Sequence, residues 1–159
     1  MNDVYLALGS NVEPRKNVAR ALAELRQRYP LLRVSPFYET LPWGFTPQAS
    51  FLNCVVHVVT REEPRATLRW GQQLERLLAR RHIVRNGPRT IDIDLLLHGA
   101  THATTPALTI PHPGLSERDF MLLPLLELDR SVRDPRTGAP LAAGRHQLRY
   151  RCIVGPWRE

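Results

Sequence analysis

One short connection restricts the fold of this chain more than any other feature of its sequence. Valine and leucine patterns predict strands over residues 32–40 and 51–60, and only residues 41–50 lie between them. This connection contains two prolines and a glycine, so it is a loop rather than a helix. Parallel strands need a longer crossover, and we therefore expect the two strands to be antiparallel neighbours. A doubly wound α/β fold is disfavoured.

The remaining hydrophobic patterns complete a split arrangement of two strand–helix–strand units. Alternating apolar residues predict strands, and apolar residues at helical spacing predict amphipathic helices. The order βαββαβ predicts an α+β, ferredoxin-like fold, in which an antiparallel sheet carries helices on one face and leaves the other for ligands or loops. An extra C-terminal helix, interrupted or bent at Pro124, and a tail follow this core. The predicted strands cover residues 3–9, 32–40, 51–60, 90–98, 108–110 and 148–154, and the predicted helices cover 14–29, 64–82 and 117–128.

Length and composition are those of one globular domain. The chain has 159 residues, of which 43% are hydrophobic and 23% charged, and it shows no internal repeat or linker. We therefore expect a single domain over residues 1–159. No apolar run approaches the roughly 18 residues that cross a bilayer, and the N-terminal residues do not resemble a secretory signal. Two cysteines that lack metal-type spacing indicate a reducing compartment, so we expect a cytoplasmic protein. No coiled-coil or swap element is evident, and we expect a monomer.

Positive charge is concentrated in one part of the chain. The formal net charge is +7, and residues 61–89 hold eight arginines against three acidic residues. A focused positive field attracts polyanions such as nucleic acid, an anionic membrane surface or a nucleoside triphosphate. A solvated helix face is the ordinary alternative. The helix arginines are not interleaved with exposed aromatic residues, which disfavours nucleic acid as the partner.

Two aspartates in the predicted strand over residues 90–98 are the clearest sign of chemistry. Asp92 and Asp94 are two residues apart, so strand alternation places both on one face and Ile93 on the other. Aspartate is uncommon in strands, and two facing carboxylates repel each other unless a cation lies between them. Hard oxygen ligands at this spacing suit Mg²⁺, either as one ion or as a pair. An exposed polar strand face is the alternative.

Other polar residues flank these aspartates. Arg89 precedes the strand, where its guanidinium can hold phosphate oxygens or pair with the aspartates of an empty site. Gln72 and Glu75 share one face of the predicted helix over residues 64–82, and taken alone they would face solvent. The predicted buried stripe of that helix consists of Trp70, Leu74, Leu77 and Leu78.

The assembled motifs resemble those of the 6-hydroxymethyl-7,8-dihydropterin pyrophosphokinases. The most specific match is the segment RNGPRTIDIDLL at residues 85–96. The resemblance implies transfer of a diphosphate from ATP to the hydroxymethyl group of the pterin, with release of AMP, in folate biosynthesis. It also implies a ferredoxin-like fold, in agreement with the order of the predicted elements. Further matches are YLALGSN at 5–11, FLN at 51–53, PH at 111–112 and RDFML at 118–122.

The resemblance also implies roles for individual residues. It implies two Mg²⁺ ions held by Asp92 and Asp94, with ATP and the pterin as partners and neither nucleic acid nor membrane among them. The implied catalytic residues are Arg80, Arg89, Asp92 and Asp94. The implied ATP-binding residues are Gln72, Glu75, Arg80, Arg89, Leu95, Thr109, His112 and Arg118. The implied pterin-binding residues are Thr40, Leu41, Trp43, Phe51, Asn53, Asp92 and Phe120, with the two phenylalanines on either side of the ring.

Several positions depart from the pattern of this family, among them Ala107 and Pro113, which stand where some members have a basic residue and a tyrosine. His82 stands where a second loop arginine is expected, and Asn86 stands where many members have an aromatic residue. These changes concern closure over ATP more than binding of the pterin. A pterin- or nucleotide-binding relative with weakened catalysis is therefore the alternative to the enzyme. A basic nucleic-acid-binding domain that uses the arginines of residues 61–89 is a third hypothesis.

Overall fold

The order of the structural elements begins with the predicted βαββαβ pattern. The computed structural model describes residues 1–44, 47–78 and 87–158. Pro14 and Pro64 each stand in the first turn of a helix, where a missing N–H leaves no hydrogen bond unmade. In chain order the elements are β1 (Asn2–Ser10), α1 (Pro14–Arg28), β2 (Leu32–Val34), β3 (Tyr38–Thr40), β4 (Phe51–Thr60), α2 (Pro64–Leu77), β5 (Asp92–His98), β6 (Ala103–Thr105), β7 (Leu108–Ile110), α3 (Asp119–Leu128) and β8 (Ile153–Pro156), with short 3₁₀ helices at Pro113–Ser116 and Leu141–His146.

Within the described residues, a six-stranded antiparallel sheet forms the centre of the fold. Its strand order is β5-β1-β4-β3-β8, and β2 pairs with β4 as well. Gly9 on β1 lies opposite Asn53 on β4 and opposite Asp92 on β5. Directly paired residues of an antiparallel sheet project from the same face. One row of side-chain positions therefore runs from Asp92 through Gly9 and Asn53 to Tyr38 on β3.

Both faces of the sheet are covered by hydrophobic clusters. On one face α1 and α2 pack against alternate residues of β1, β4 and β5, including Ile93 and Leu95. On the other face α3 packs against Tyr5, Ala7 and Val55. The α+β, ferredoxin-like class is confirmed, with the two helices of the βαββαβ unit on one face. The expectation that the other face would be left to ligands or loops holds only in part: α3 covers the region of Tyr5, Ala7 and Val55, whereas Asp92 and Asp94 on the same face stay partly exposed.

Three local predictions also differ from the structure. Residues 32–40 form two strands rather than one, because the chain leaves the sheet at Ser35 and Pro36. The Ser35 backbone and hydroxyl then satisfy the carbonyl and the N–H of Val55. Leu77 is 64% exposed and does not belong to the buried stripe of α2. Strand β7 pairs with β6 in a separate hairpin instead of forming an edge of the main sheet.

The tail after α3 returns to the sheet and adds an edge strand. Leu148 is buried against the cluster under α3, and β8 then pairs with β3. The predicted last strand near residues 148–154 is thus present, shifted toward the C-terminus. Among the helices that the structure describes, none is both long and apolar enough to span a membrane.

Candidate active site

Asp92 and Asp94 lie on one face of β5, as strand alternation predicts. Ile93, between them, is buried in the cluster under α1 and α2 on the opposite face. Asp92 lies opposite Gly9 and Asp94 opposite Ala7, and both aspartates are partly exposed. The small residues on β1 leave space beside the two carboxylates. Both are therefore reachable from the same side of the sheet.

Helix α2 places a buried carboxylate against the same strand. Glu75 is only 7% exposed, and its Oε1 accepts a hydrogen bond from the Ile93 N–H at 2.8 Å. Because β5 is at the edge of the sheet, its outward N–H groups need acceptors from elsewhere. Taken alone, Gln72 and Glu75 were expected to face solvent. Gln72 is exposed as expected, whereas the expectation was wrong for Glu75, which is buried. Glu75 therefore fixes the strand segment between the two aspartates.

Arg89 lies at the approach to β5 and is held by the turn after β1. Its backbone N–H donates to Asn11 Oδ1 at 2.8 Å, and the Asn11 N–H donates to the Arg89 carbonyl at 3.1 Å. Its guanidinium is buried, and Nη1 donates to the Gly87 carbonyl at 2.9 Å. Arg89 is thus fixed at the end of the sheet where Gly9 lies. Sequence reasoning gave Asn11 no role, although it belongs to the matching segment at residues 5–11.

His112 faces Asp94, with Nε2 3.8 Å from Asp94 Oδ1. Its Nδ1 accepts a hydrogen bond from the Gly114 N–H at 2.9 Å, and its backbone N–H donates to the Leu96 carbonyl at 3.0 Å. Burial, assisted by the positive charge of Arg118, lowers the pKa of His112 to about 4. The imidazole is therefore neutral at physiological pH. Because Nδ1 accepts, the ring proton resides on Nε2, on the side of Asp94.

Arg118, Trp43 and Tyr150 form a stack beside this histidine. The Arg118 Cζ lies 3.9 Å from the centroid of the Trp43 ring, and that ring meets Tyr150 edge-on with centroids 5.6 Å apart. A Cβ on Gly114 would lie 3.0 Å from Arg118 Cδ, so the glycine leaves room for the arginine. Cation–π contacts of this kind contribute about 0.5–2 kcal/mol. Trp43, a predicted pterin neighbour, and Arg118, a predicted ATP ligand, are thus in direct contact.

Thr40, Phe51 and Asn53 form a second group on the far side of β1. Asn53 Nδ2 donates to Thr40 Oγ1 at 2.5 Å, and both residues are buried. A Cβ placed on Gly9 would lie 2.6 Å from Asn53 Oδ1 and 3.8 Å from Phe51 Cδ1. The Asn53 side chain therefore occupies the space that a side chain at position 9 would need. We call Gly9 the floor of the site, because it lies beneath this side chain. Asn53 and Asp92 stand one strand to either side of it, at a backbone separation of about 10 Å.

The other predicted site residues are more dispersed. The Leu95 side chain is buried in the core under α1 and α2, on the face opposite to the aspartates. Thr109 is exposed on β7, and Leu41 is exposed at the end of β3 with its N–H bonded to the tail. Phe120 is partly buried against the α3 cluster. Arg80, His82 and Asn86 lie outside the described residues.

The carboxylates at this site fit a hard divalent cation. Among the described residues, no three His, Cys, Asp or Glu side chains converge to hold a metal on their own. Asp92 and Asp94 offer two oxygen ligands on one strand face. Mg²⁺ is commonly bound by one or two carboxylates, with phosphate oxygens and water completing its shell. The donor set therefore suits Mg²⁺ that arrives with a nucleotide.

Comparison with known proteins is consistent with this geometry. The family model described as 7,8-dihydro-6-hydroxymethylpterin-pyrophosphokinase (HPPK) matches residues 5–130. The chain is 42% identical over 143 residues to the 2-amino-4-hydroxy-6-hydroxymethyldihydropteridine pyrophosphokinase of Bacillus subtilis, covering 87% of this chain and 86% of the relative. The identity to the enzyme of the same name from Aquifex aeolicus is 38% over 142 residues, covering 89% of each chain. A solved Plasmodium falciparum HPPK-DHPS has a similar fold, with a TM-score of 0.69 at 15% identity over 92% of this chain and 45% of that one.

Proposed function

The chain belongs to the 7,8-dihydro-6-hydroxymethylpterin-pyrophosphokinase family, and from this membership we propose how its residues carry out the reaction. The protein is a diphosphotransferase of folate biosynthesis that transfers a diphosphate from ATP to 6-hydroxymethyl-7,8-dihydropterin. The pterin hydroxyl oxygen forms a bond to the β-phosphorus of ATP. The bond from that phosphorus to the oxygen shared with the α-phosphate breaks, and AMP leaves with this oxygen. The hydroxyl proton is released to solvent.

The row formed by Asp92, Gly9 and Asn53 is the observation that carries this proposal. It places the Asp92 carboxylate of β5 and the buried Asn53 amide of β4 on the same sheet face with only a glycine between them, and Asp94 follows on that face, opposite Ala7. The polar edge of a pterin needs donors and acceptors such as the Asn53 amide, whereas the phosphates of ATP need a cation site such as the two aspartates. A substrate lying over Gly9 would present its hydroxymethyl group toward Asp92.

The aspartates are proposed to hold two Mg²⁺ ions that enter with ATP. When bound, these ions would neutralise much of the roughly four negative charges of the nucleotide, which otherwise repel an attacking oxygen. The backbone between Asp92 and Asp94 is held in place, because the Ile93 N–H donates a hydrogen bond to Glu75. His112 adds a neutral N–H donor beside Asp94 without adding charge.

Positively charged residues are proposed to bind the phosphates. Arg89 is held at the end of the sheet by Asn11, and Arg118 stands on Trp43 within electrostatic range of His112. Guanidinium groups suit this task because they donate several hydrogen bonds in a fixed plane and remain charged. Arg80 is proposed to act from the segment that follows α2. The remaining proposed ATP ligands are Gln72, Glu75, Leu95, Thr109 and His112.

The pterin is proposed to lie between two aromatic side chains. Phe51 projects from β4 beside Gly9, and Phe120 projects from the first turn of α3. Flat heteroaromatic rings stack on such faces, while Asn53 and the backbone of residues 40–43 would read the polar edge. The remaining proposed contacts are Thr40, Leu41 and Trp43. We further propose a monomeric, cytoplasmic enzyme with no nucleic-acid or membrane partner.

Phosphorus NMR of the products tests the activity and the aspartate assignment together. Purified protein with ATP, Mg²⁺ and the pterin should give AMP and a pterin diphosphate. Asp92→Asn and Asp94→Asn should each lower kcat by about 10²–10³-fold or more, because each removes a charge that supports the transition state. Asp3→Asn, a strand carboxylate at the other end of β1, is the matched control and should retain the wild-type rate.

Two outcomes would contradict this assignment. Wild-type rates in the folded aspartate variants would refute the metal-binding role of Asp92 and Asp94. Intact ATP in the presence of bound pterin would instead favour the binding protein with weakened catalysis.

A further inference from the structure

The two halves of the proposed pterin site come from distant parts of the chain. One half consists of Thr40, Leu41, Trp43, Phe51 and Asn53, and the other begins with Arg118 and Phe120 at the start of α3. The tail passes between them, and it lies beyond the part of the chain that the family model matches, which ends at residue 130. Residues 150–153 of the tail bond to both halves. We call this segment the bridge.

Asp119 attaches the bridge to α3. Its carboxylate is only 4% exposed, with Oδ1 accepting from the Cys152 N–H at 2.9 Å and Oδ2 accepting from the Ile153 N–H at 3.0 Å. Its own N–H donates to the Tyr150 carbonyl at 3.0 Å, and the Tyr150 N–H donates to the Glu117 carbonyl at 2.8 Å. Four hydrogen bonds thus fix the bridge against the residues on either side of Arg118.

The opposite side of the bridge holds the residues proposed to read the pterin edge. The Leu41 N–H donates to the Cys152 carbonyl at 2.8 Å, and Ile153 pairs with Thr40. The Tyr150 ring contacts the edge of Trp43. Thr40 in turn accepts the hydrogen bond from Asn53. The position of residues 40–43 relative to Phe120 therefore depends on the bridge.

A carboxylate is the side chain that this geometry requires. Two consecutive backbone N–H groups point at the two oxygens, and both oxygens must accept. Asparagine has the same shape but only one acceptor oxygen, so its NH₂ group would face a backbone N–H. A buried donor without an acceptor is unfavourable, and the bridge would move to relieve it.

We propose that Asp119 is a positioning residue for the pterin, acting through the bridge; this inference rests on the proposed assignment of the pterin site to residues 40–43, Phe51, Asn53 and Phe120. Asp119 itself contacts backbone groups of the tail. Its effect is to fix residues 40–43 at the distance from Phe120 that a stacked pterin requires. Substitution of Asp119 should therefore weaken pterin binding much more than nucleotide binding.

The test compares Asp119→Asn with Asp134→Asn in the full-length protein. Asp134 is a matched control, because it is 9% exposed and accepts hydrogen bonds from the N–H and side chain of Arg136, away from the bridge. The KM for the pterin and the KM for ATP are measured at saturating partner substrate, well below the Tm of each variant. Amide hydrogen exchange at Leu41, Cys152 and Ile153 reports on the bridge directly.

Asp119→Asn should raise the pterin KM at least tenfold and the ATP KM less than threefold, with faster exchange at the three amides. Asp134→Asn should lower Tm without changing the ratio of the two KM values. An unchanged pterin KM in Asp119→Asn, or equal increases for both substrates, would overturn the proposal. If Asp119→Asn does not fold, Tyr150→Ala replaces it, since this change removes the ring contacts with Trp43 and Arg149 and leaves the backbone hydrogen bonds of the bridge in place. An unchanged pterin KM in folded Tyr150→Ala would then overturn the proposal.

Failure of the proposed function would give a different result. Wild-type protein that forms no pterin diphosphate would refute the activity before any variant is compared. Loss of amide protection at Leu41 in Asp119→Asn would still support the bridge in that case, and its retention would contradict it.

Discussion

Replacement of Gly9 by alanine should weaken pterin binding while leaving the protein folded. The added Cβ would lie 2.6 Å from Asn53 Oδ1, whereas real Cβ atoms almost never approach a heavy atom within 3.0 Å. Asn53 cannot easily swing away, because it is buried and donates to Thr40 Oγ1. The amide must therefore shift by several tenths of an ångström, and its hydrogen bond must lengthen or break.

Two opposing effects determine the change in the free energy of unfolding. Overpacking of a buried site costs about 1–3 kcal/mol. Gly→Ala recovers about 0.4–1 kcal/mol by restricting the unfolded chain. The net loss of roughly 1–2 kcal/mol lowers Tm by about 2–8 °C in a protein of this size. Misplacing one hydrogen-bonding group weakens binding by about 1.4 kcal/mol, which corresponds to a tenfold rise in the pterin KM.

Steady-state kinetics with each substrate varied, together with a thermal melt, separate the two effects. Gly9→Ala should raise the pterin KM about tenfold, with a smaller change in the ATP KM, because the atoms nearest the new methyl group belong to Asn53 and Phe51. Gly144→Ala is the control, since no atom lies within 4 Å of its Cβ position. A Gly9→Ala variant with the wild-type pterin KM would refute the role of Gly9 as the floor of the site.

Two further predictions concern groups away from the site. Burial lowers the pKa of His98, an effect that Glu62 and Glu63 partly oppose, and its ring nitrogens have no hydrogen-bond partner among the described residues. As the pH is lowered through about 6.5, the unfolded chain therefore binds a proton at His98 before the folded protein does. The free energy of unfolding consequently decreases as the pH decreases. The Tm of His98→Leu minus the Tm of the wild type should therefore increase when the pH is lowered from about 7.5 to about 5.5. A difference that stays constant over this range would contradict the prediction. Burial raises the pKa of Cys54 to about 12, so iodoacetamide should label it only in denaturant, as peptide mass spectrometry would show, and native labelling would be the contrary result.

Local periodicity was sufficient to predict the elements that form the core. Strand alternation placed Asp92 and Asp94 on one face because that rule depends only on backbone geometry. The burial of Glu75 could not be obtained in this way, since it depends on an N–H on the outer side of β5, where the described residues place no further strand. A rule based on polarity alone assigns such a carboxylate to solvent.

The position of α3 and of the tail required long-range information. Seven consecutive residues from Phe120 to Leu126 are apolar, which indicates a helix buried on more than one side. That signal did not specify which face of the sheet the helix would cover. The role of Asp119 depends on N–H groups more than thirty positions away, in a segment with no clear periodicity. The contact of Arg118 with Trp43 likewise joins segments that no local rule connects.

Neighbouring residues of β5 serve opposite faces of the sheet, and this affects how the strand can evolve. Ile93 faces the core beneath α2, whereas Asp94 faces the site. A change at Ile93 should alter the stability of the fold, and, if the proposed metal-binding role is correct, a conservative change at Asp94 should alter the rate of each folded molecule. Selection on abundance and selection on rate therefore act on alternate codons of the same short segment. A lineage can adjust its expression level or temperature range through one set of codons while the chemistry encoded by the other set stays constant.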